Sequence, residues 1–491
     1  MERETDVVVI GAGPVGENVA DRAVQGGLET LIVEHELVGG ECSYWACMPS
    51  KALLRSGSAL RAARRVPGAA EAVTGGIDVA KVLARRDEEV SHWNDDGQVA
   101  WLDSAGIGLV RGHARLDGPK RVVVRTAEGE TVLVARHAVV VATGSDPVVP
   151  PIPGLAEARP WTSREATSVE ELPERLVVIG GGVVAVEAAT WFATLGTSVT
   201  LLARHGLLDR MEPFAGEAVA KGLAGLGVEL RLGVSPRRVD RDGDGVVTVQ
   251  LDDDAVVADE VLVATGRKPR SDAIGLETVG LEPGAWIDVD DTLAATGLPG
   301  SEPSASGAPW LYAVGDVNHR ALLTHQGKYQ ARAAGDAIAV RARGGALDDA
   351  PWGAHVATAD HAAVPQVVFA EPEVAAVGRT EAEARSAGLS AHVADYDIGR
   401  VAGASVHADG YEGHARFVVD EDRGVLVGAT FAGQDVAELV QAATIAVVGE
   451  VPIARLWHAV PAYPTISEIW LRLLEALGRD TALGGSAPGA R

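Results

Sequence analysis

The sequence predicts an α/β fold in which one βαβ plan occurs twice and an α+β domain follows. Two Gly-rich turns, Gly11–Gly16 and Gly180–Ala185, each stand between an apolar strand and an apolar helix. Each unit also closes on an Ala-Thr-Gly turn, at residues 142–144 and 264–266. A chain of 491 residues is too long for one hydrophobic core, so we expect several domains.

The first unit opens the chain. Its predicted elements are, in order, strand Asp6–Ile10, a helix to about Gly26, strand Thr30–Val33 ending at Glu34, helices over 50–66 and 77–105, and a strand-rich segment over 108–142. The Pro-rich residues 146–154 then predict a linker.

The second unit repeats the plan. The predicted elements from there on are strand Arg175–Ile179, a helix to about Leu195, strand Ser198–Leu202 ending at Arg204, strand Trp310–Val314, a helix over 326–341 and a linker over 343–360. From about Ala363 the chain mixes strands and helices without a phosphate-binding turn, which predicts a separate α+β domain. The predicted domains are 1–150 with 269–345, 151–268, 360–480, and a flexible tail over 481–491.

Composition narrows the function classes. The formal net charge is −25, and because an acidic surface repels nucleic acid and anionic membranes, we expect neither as a partner. The N-terminus leads straight into an apolar strand without the pattern of a signal peptide. No apolar run approaches the roughly 20 residues of a membrane span. We therefore expect a cytoplasmic protein.

The two cysteines, Cys42 and Cys47, lie close together in a chain that has no others. Such a pair cannot form the disulfide framework of a secreted domain, and it indicates redox chemistry or metal binding. A structural metal usually takes four ligands, and no further cysteine or nearby histidine cluster supplies them. We expect a redox centre and no metal site.

Each Gly-rich turn predicts a dinucleotide site, because glycine lets backbone N–H groups approach a pyrophosphate at a helix N-terminus. In the first unit the carboxylate of Glu34 can accept from both hydroxyls of an adenosine ribose, which suits FAD. In the second unit Arg204 takes that place, with His205 and Arg210 nearby, and Ala185 replaces the third glycine. Guanidiniums bind a 2′-phosphate, so NADPH is favoured over NADH; the alternative is a solvated basic turn.

Residues 39–51 read Gly-Gly-Glu-Cys-Ser-Tyr-Trp-Ala-Cys-Met-Pro-Ser-Lys. Two cysteines separated by four residues, then Pro and Lys, resemble the hallmark of the flavoprotein disulfide reductases, which include dihydrolipoamide dehydrogenase, glutathione reductase and mercuric reductase. The resemblance covers nearly the whole chain, from both Gly-rich turns through Gly315-Asp316-Val317. It continues over residues 364–374, which look like the start of that family's dimerisation domain.

This resemblance implies a role for each residue of the redox centre. Cys47 would face the flavin and give a charge-transfer complex as a thiolate, whereas Cys42 would be the interchange thiol that meets the substrate. Lys51 would lie near flavin N5 and pair with Glu187, for which a solvated helix face is the alternative. Asp316 would hydrogen-bond the ribityl chain.

The resemblance and the Gly-rich turns together give the expected cofactor contacts. Those for FAD are Gly11, Gly13, Gly16, Glu34, Gly40, Ala114, Thr143, Gly144, Ser145, Asp316 and Thr324. Those for NADPH are Gly180, Gly182, Ala185, Arg204, His205, Arg210 and Gly266. The resemblance also implies a homodimer, in which the C-terminal segment completes the active site of the partner subunit.

One position departs from the family's pattern. Disulfide-reducing members end with a His-Pro-Thr…Glu element whose histidine is the acid/base, and here Tyr463 stands in the histidine's place while Glu468 remains. Tyrosine, with a pKa of about 10 against about 6.5 for histidine, is a poor base near neutrality. His458 lies five positions earlier, and a helix-end or packing role is favoured over a relocated catalyst.

The tyrosine narrows the expected acceptors. Oxidation of dihydrolipoamide and reduction of alkyl disulfides both need proton transfer at the interchange thiol, so both are disfavoured. Quinones, metal ions and disulfides with acidic leaving thiols need it least. Mercuric reductase resembles the sequence at Tyr463, but the tail over 484–491 lacks the cysteine pair that hands over the metal ion, so a full mercuric reductase is not expected.

The sequence thus predicts an NADPH-dependent FAD oxidoreductase that passes electrons through the Cys42–Cys47 disulfide to a small disulfide or another electrophilic acceptor. One alternative is an NADPH:quinone reductase that works directly from the flavin, and another is an enzyme like dihydrolipoamide dehydrogenase. The least favoured is a nucleotide-binding flavoprotein without turnover, because Lys51, Glu187 and the basic set around Arg204 all argue against it.

Overall fold

The computed structural model describes residues 2–299 and 308–479. These residues form two compact units, each assembled from three segments of chain. The first unit comprises 2–49, 86–148 and the described residues of 266–361. The second comprises 50–85, 149–265 and 362–479.

The first unit is built on a mixed sheet, to which seven strands of the described residues contribute. In spatial order these are Gly108–Arg111, Thr30–Glu34, Glu2–Ile10, Gly129–Val141, Arg121–Thr126 and His113–Leu116, and Leu311–Ala313 also pairs with Gly129–Val141. Five of these strands are parallel to one another: Gly108–Arg111, Thr30–Glu34, Glu2–Ile10, Gly129–Val141 and Leu311–Ala313. The apolar run Val7–Ile10 is buried because elements cover both faces of a parallel sheet.

Two helices pack side by side against this sheet, Pro14–Gln25 and Thr324–Ala342. Glycines let their backbones approach closely. A Cβ on Gly327 would lie 2.6 Å from Val15 Cγ2, and one on Gly335 would lie 2.5 Å from Arg22 Cβ. Since both contacts advance along both helices, the helices run in the same direction.

A short two-stranded sheet completes the first unit, from Ser145–Pro147 and Arg267–Pro269. The helix predicted over 77–105 is wrong as a single element. The chain instead forms helices Val79–Glu89 and Asp96–Ser104. Ser91, His92 and Trp93 have φ of 52°, 51° and 54°, a left-handed conformation that no α-helix continues through.

The second unit contains a parallel four-stranded sheet in the order Glu229–Leu232, Ser198–Ala203, Arg175–Ile179 and Glu260–Val263. The strand and helix on either side of the second Gly-rich turn, Arg175–Ile179 and Val183–Leu195, agree with the prediction. An antiparallel sheet of Arg238–Arg241, Val247–Gln250 and Ala255–Ala258 lies beside them. The other helices here are Cys47–Arg64, whose first turn belongs to the first unit, Ser163–Thr167 and Pro213–Gly225.

The C-terminal part is the predicted α+β domain. Its antiparallel sheet runs, in spatial order, Pro365–Val368, Glu373–Gly378, Val425–Gly433, Gly413–Asp420 and Ala391–Asp397. The helices are Glu381–Ser386, Ala402–His407, Leu439–Val448, Ile453–Leu456 and Ile469–Leu477, preceded by Ala359–Ala362. Over residues 2–299 and 308–479, no helix combines the length and apolar character needed to cross a bilayer. The predicted fold class is confirmed.

Candidate functional site

The first Gly-rich turn brings the end of one strand, the start of a helix and a second strand into close backbone contact. Gly11 has φ of 102°, and a Cβ on it would lie 2.5 Å from the carbonyl oxygen of Ala142. A Cβ on Gly16 would lie 1.9 Å from the carbonyl oxygen of Gly11. Only glycine fits either place. The N-terminus of helix Pro14–Gln25 therefore stands directly above the carboxyl ends of the parallel strands.

Glu34 organises the loops around this turn. Its Oε2 accepts from the backbone N–H of Ala12 at 2.8 Å, and its Oε1 accepts from the N–H groups of His35 and Glu36 at 2.9 and 2.8 Å. A carboxylate offers about four lone-pair sites, so acceptor capacity remains for ribose hydroxyls. The residue is buried, with 7 % of its surface exposed.

Two further segments of the first unit carry three predicted FAD contacts, Thr143, Ser145 and Asp316. Ser145 Oγ donates to Asp316 Oδ2 at 2.6 Å. Thr143 presents a hydroxyl that is buried and has no hydrogen-bond partner within the described residues. An unpaired buried hydroxyl is costly, and a bound cofactor that pairs with it removes the cost.

Gly13, Gly40, Gly144 and Ala114 are further predicted FAD contacts, and all lie in the first unit. A Cβ on Gly40 would lie 2.7 Å from the Cα of Gly13, and Gly144 faces open space. Ala114 lies on strand His113–Leu116, opposite Val124.

The two cysteines lie in the first unit, on helices that follow one another along the chain. Cys42 belongs to helix Gly40–Tyr44, and Cys47 begins helix Cys47–Arg64. Both are free thiols here. Hydrogen bonding with Cys47, together with burial, raises the pKa of the Cys42 thiol. Cys47 Sγ also lies 3.4 Å from the hydroxyl of Thr324. The two sulfurs and the start of helix Thr324–Ala342 therefore meet at one place.

In the second unit, Lys51 and Glu187 form the ion pair that the sequence predicts. Lys51 Nζ donates to Glu187 Oε2 at 2.8 Å, and the Glu187 side chain is only 5 % exposed. The other oxygen of Glu187 accepts from the backbone N–H of Phe369 at 3.0 Å, and the Lys51 ammonium lies 5.0 Å from the centre of the Phe369 ring. The alternative of a solvated helix face for Glu187 is wrong, because both of its oxygens are paired in a buried place.

The second Gly-rich turn repeats the geometry of the first. A Cβ on Gly180 would lie 2.2 Å from the carbonyl oxygen of Ala264, whereas Gly182 faces open space above the start of helix Val183–Leu195. Ala185 is fully buried in that helix. Open space at Gly182 leaves room for a phosphate at the helix N-terminus.

The basic set of this turn lies at the surface. Arg204 and His205 follow strand Ser198–Ala203, with 3.1 Å between Arg204 Nε and His205 Nε2. Both side chains are exposed, as is Arg210. Gly266, the last residue predicted to contact NADPH, belongs to the first unit, where its carbonyl oxygen accepts from the N–H of Val148 at 3.0 Å.

Tyr463 and Glu468 are not joined. Tyr463 is 76 % exposed, and Glu468 is buried with Oε1 accepting from Arg472 at 2.5 Å. Oε2 of Glu468 is buried without a hydrogen-bond partner among the residues that the structure describes. His458 is exposed just after helix Ile453–Leu456. The sequence retains the carboxylate of the family's pattern, but within one chain the Tyr463 hydroxyl makes no hydrogen bond to Glu468.

Sequence reasoning missed three charged residues of the first unit. Arg267 donates to Ser145 Oγ at 2.6 Å and to Glu41 at 2.8 Å, so it ties the cysteine helix to the Asp316 region. The other two are Glu17, which is buried with its Oε1 unpartnered among the described residues, and Lys328, whose charge lowers the pKa of both Glu17 and Cys42. Arg267 directly follows an Ala-Thr-Gly turn and Glu17 directly follows the last glycine of the first turn, and either position was a usable signal.

These features fit a flavin dinucleotide. The first turn offers a helix N-terminus for a pyrophosphate, Glu34 offers acceptors for a ribose, and the orphaned Thr143 hydroxyl needs a partner.

We expect Glu34→Ala to weaken FAD binding, because it removes the ribose acceptor and leaves three backbone N–H groups without their partner. The loss expected is on the order of 1–3 kcal/mol, roughly a tenfold to hundredfold rise in the Kd for FAD. Flavin absorbance per purified chain and titration of the apoprotein with FAD measure it. Glu29→Ala, an exposed carboxylate one residue before the same strand, should keep full flavin content. Equal flavin content in both variants would contradict the role of Glu34.

Comparison with known proteins identifies the family. Residues 5–336 match the family model described as pyridine nucleotide-disulphide oxidoreductase, and residues 364–473 match the dimerisation domain of the same family. The chain is 33 % identical over 474 residues to a mercuric reductase of Shigella flexneri, covering 94 % of this chain and 79 % of the relative. It is 30 % identical over 487 residues to a dihydrolipoyl dehydrogenase of Halobacterium salinarum, covering 96 % of each.

Among solved structures, the Cu(II) complex of the HOCl-induced flavoprotein disulfide reductase RclA from Escherichia coli has the same fold. The TM-score is 0.80 at 24 % identity, over 96 % of this chain and 99 % of that chain. The family uses FAD and a pyridine nucleotide, and its members act on sulfur groups. The chain is therefore a member of the pyridine nucleotide-disulphide oxidoreductase family.

Proposed function

We propose that this protein is an NADPH-dependent FAD oxidoreductase that passes electrons through Cys42 and Cys47 to a small disulfide or another electrophilic acceptor. One observation carries the proposal. The two thiols lie within hydrogen-bonding reach of each other, in the same unit as a dinucleotide turn with a ribose carboxylate. A pair so placed is suited to forming and opening a disulfide.

FAD would be held by Gly11, Gly16 and Glu34 at its dinucleotide end and by Ser145 and Asp316 along the ribityl chain. When bound, a flavin supplies hydride acceptance from a reduced nicotinamide and two-electron transfer to sulfur. The chain's own residues orient the partners and manage protons.

Cys42 is suited to hold the proton of the reduced pair, because hydrogen bonding with Cys47 and burial both raise its pKa. Cys47 is then the thiol that accepts a hydrogen bond, and the Thr324 hydroxyl 3.4 Å away is a second donor for its sulfur. This division of roles matches an interchange thiol at Cys42 and a flavin-side thiolate at Cys47. The same assignment follows from the family resemblance.

Lys51 lies four residues after Cys47 on helix Cys47–Arg64, and we propose that its positive charge acts on the redox step. Its ammonium is fixed by the buried Glu187 carboxylate, which is itself fixed by the Phe369 N–H. A fixed cation favours electron entry into a neighbouring acceptor, since negative charge develops there. The Lys51–Glu187 pair is therefore proposed as an electrostatic element of the reductive step.

Tyr463 favours acceptors that need no strong base. The phenol is exposed and, among the described residues, makes no hydrogen bond with Glu468. Electrophilic acceptors and disulfides with acidic leaving thiols fit this arrangement better than dihydrolipoamide does.

We expect Cys42→Ser to abolish NADPH-dependent reduction of small disulfides while the purified protein still binds FAD and is bleached by NADPH. The change removes the sulfur that bonds to the acceptor and keeps the rest of the site. Stopped-flow absorbance of the flavin and steady-state NADPH consumption measure the two effects. The matched control is Ser43→Ala, beside Cys42, which should retain turnover. Retention of disulfide reduction by Cys42→Ser would show that the flavin delivers electrons directly, as in a quinone reductase.

For the nucleotide, the exposed arginines Arg204 and Arg210 favour NADPH through charge-assisted hydrogen bonds to a 2′-phosphate. We expect the double substitution Arg204→Ala and Arg210→Ala to raise KM for NADPH roughly tenfold to a hundredfold per lost contact, and to leave KM for NADH nearly unchanged. Arg237→Ala, which removes an exposed arginine paired with Asp252, serves as the matched control. Equal effects on both nucleotides would contradict NADPH preference.

We also propose a homodimer. The dimerisation-domain match is supported by exposed apolar side chains in this region, Val460 at 85 % and Ile445 at 59 % exposure. Light scattering at micromolar concentration should give twice the mass of one chain. Val460→Glu should shift the protein toward monomer, and Val257→Glu, on an exposed strand outside this domain, should not. A monomeric wild type would contradict the proposal.

A further inference from the structure

The first unit contains a buried carboxylate that the proposed mechanism does not use. Asp360 belongs to the short helix Ala359–Ala362, and its side chain is 0 % exposed. Its two oxygens accept from two glutamine amides on helix Thr324–Ala342, Oδ1 from Gln326 Nε2 at 2.6 Å and Oδ2 from Gln330 Nε2 at 2.9 Å. Both glutamines are buried as well. Buried polar groups that are paired in this way hold their surroundings in one arrangement.

One of the glutamines connects this carboxylate with the turn Gly315–Asn318. Gln330 is 0 % exposed, and its Oε1 accepts from the backbone N–H of Gly315 at 2.8 Å and from Asn318 Nδ2 at 2.9 Å. A single amide group therefore joins the buried carboxylate to both ends of the turn.

The chemistry of its partners leaves the Gln330 amide one orientation. A backbone N–H can only donate, so the amide must turn its oxygen toward Gly315. An ionised carboxylate can only accept, so the NH2 group must point to Asp360. Rotation of the amide by half a turn would set donor against donor at one end and acceptor against acceptor at the other. The carboxylate thus determines that the turn meets an acceptor.

The groups around Asp360 favour its ionised form. Burial raises the pKa of this carboxyl, and the Gln326 amide, the Arg320 charge and the Gln330 amide oppose that effect. Arg320 Nη1 lies 3.7 Å from Asp360 Oδ2, and Nη2 of the same guanidinium donates to Asp291 at 2.9 Å. Two amides and one guanidinium thus stabilise the form that accepts.

The turn that receives this hydrogen bond carries Asp316, the residue proposed to bind the ribityl chain of FAD. Gly315 has φ of 76°, in the left-handed region, and a Cβ on it would lie 3.2 Å from Val15 Cγ1. Its backbone therefore packs against the first helix while its N–H is bound by Gln330. The Asp316 side chain starts from this fixed backbone and accepts from Ser145 Oγ at 2.6 Å.

We propose that Asp360 is a positioning residue for the flavin half of FAD. Through the Gln330 amide it fixes the Gly315 backbone, and with it the place from which Asp316 meets the ribityl chain. The inference rests on the proposed function, which assigns Asp316 to FAD. The adenosine half, which the first Gly-rich turn and Glu34 would hold, does not depend on this network.

Two glutamines one turn apart allow a matched test. Gln330→Met removes the acceptor from Gly315, and Asp360→Leu removes the group that orients this acceptor. Gln326→Met is the control, because it also takes one donor from Asp360 but leaves every bond of Gln330 in place. Asp360→Asn keeps one oxygen, which the Arg320 charge beside Oδ2 turns toward Gln330.

The readouts are the Kd values of the full-length apoprotein for FAD and for ADP, which is the adenosine half of FAD with both phosphates. We expect Gln330→Met and Asp360→Leu each to raise the Kd for FAD roughly tenfold, as for one lost buried hydrogen bond, and the Kd for ADP at most about twofold. Gln326→Met and Asp360→Asn should stay within about threefold of wild type for both ligands. Because both changes act on one acceptor, the double variant Asp360→Leu/Gln330→Met should bind FAD no more weakly than the weaker single variant.

Equal weakening of FAD binding by Gln326→Met and Gln330→Met would overturn the proposal, because the network would then serve stability alone. Wild-type affinity for FAD in Gln330→Met, or in folded Asp360→Leu, would overturn it as well. If Asp360→Leu does not fold, the contrast between the two glutamine variants decides. Wild-type apoprotein that binds ADP but not FAD would refute the proposed function itself, whereas the other results refute only the role of Asp360.

Discussion

The first unit depends on backbone atoms that approach more closely than any side chain would allow. Gly11 meets the carbonyl of Ala142, and Gly16 meets the carbonyl of Gly11. These contacts hold the start of a helix over the ends of two parallel strands, and Glu34 then fixes the neighbouring loop through the Ala12 N–H. The same constraint recurs where Gly180 meets Ala264. Because the contacts are between backbone groups, the geometry is independent of most side chains around them.

Much of this architecture follows from local pattern. The strand Arg175–Ile179 and the helix ending at Leu195 have the predicted bounds, since an apolar run, a Gly-rich turn and a terminal Gly196 mark each end. The segment over 77–105 does not have the predicted bounds. Its helix breaks at Ser91–Trp93, which are left-handed, and no glycine or proline at these positions marks the break in the sequence. Strand Glu2–Ile10 begins earlier than Asp6, since pairing with residues 132–135 orders polar residues that pattern alone assigns to a tail.

The residues of the candidate site also fall into two groups, those that sequence patterns predict and those that they do not. Lys51 and Glu187 meet as the family resemblance implies, although 136 residues separate them in the chain. Glu17 and Lys328 belong to no motif. Some 300 residues of chain separate the two helices that carry them, and these helices pack against each other. A charged residue on a buried helix face was visible in the sequence, but its neighbours were not. Tertiary packing decides which charges share a low-dielectric space.

The contacts of Glu187 limit where this chain can be divided into fragments. One of its oxygens is held by Lys51 and the other by the N–H of Phe369, which directly follows strand Pro365–Val368 of the C-terminal sheet. A fragment ending before residue 369 would leave a buried lone pair without a donor and the lysine without its aromatic face. The C-terminal domain is thus no detachable module: genetic truncation, domain exchange or a recombination breakpoint at its border would remove a hydrogen-bond donor from the buried Glu187 carboxylate and an aromatic neighbour from Lys51.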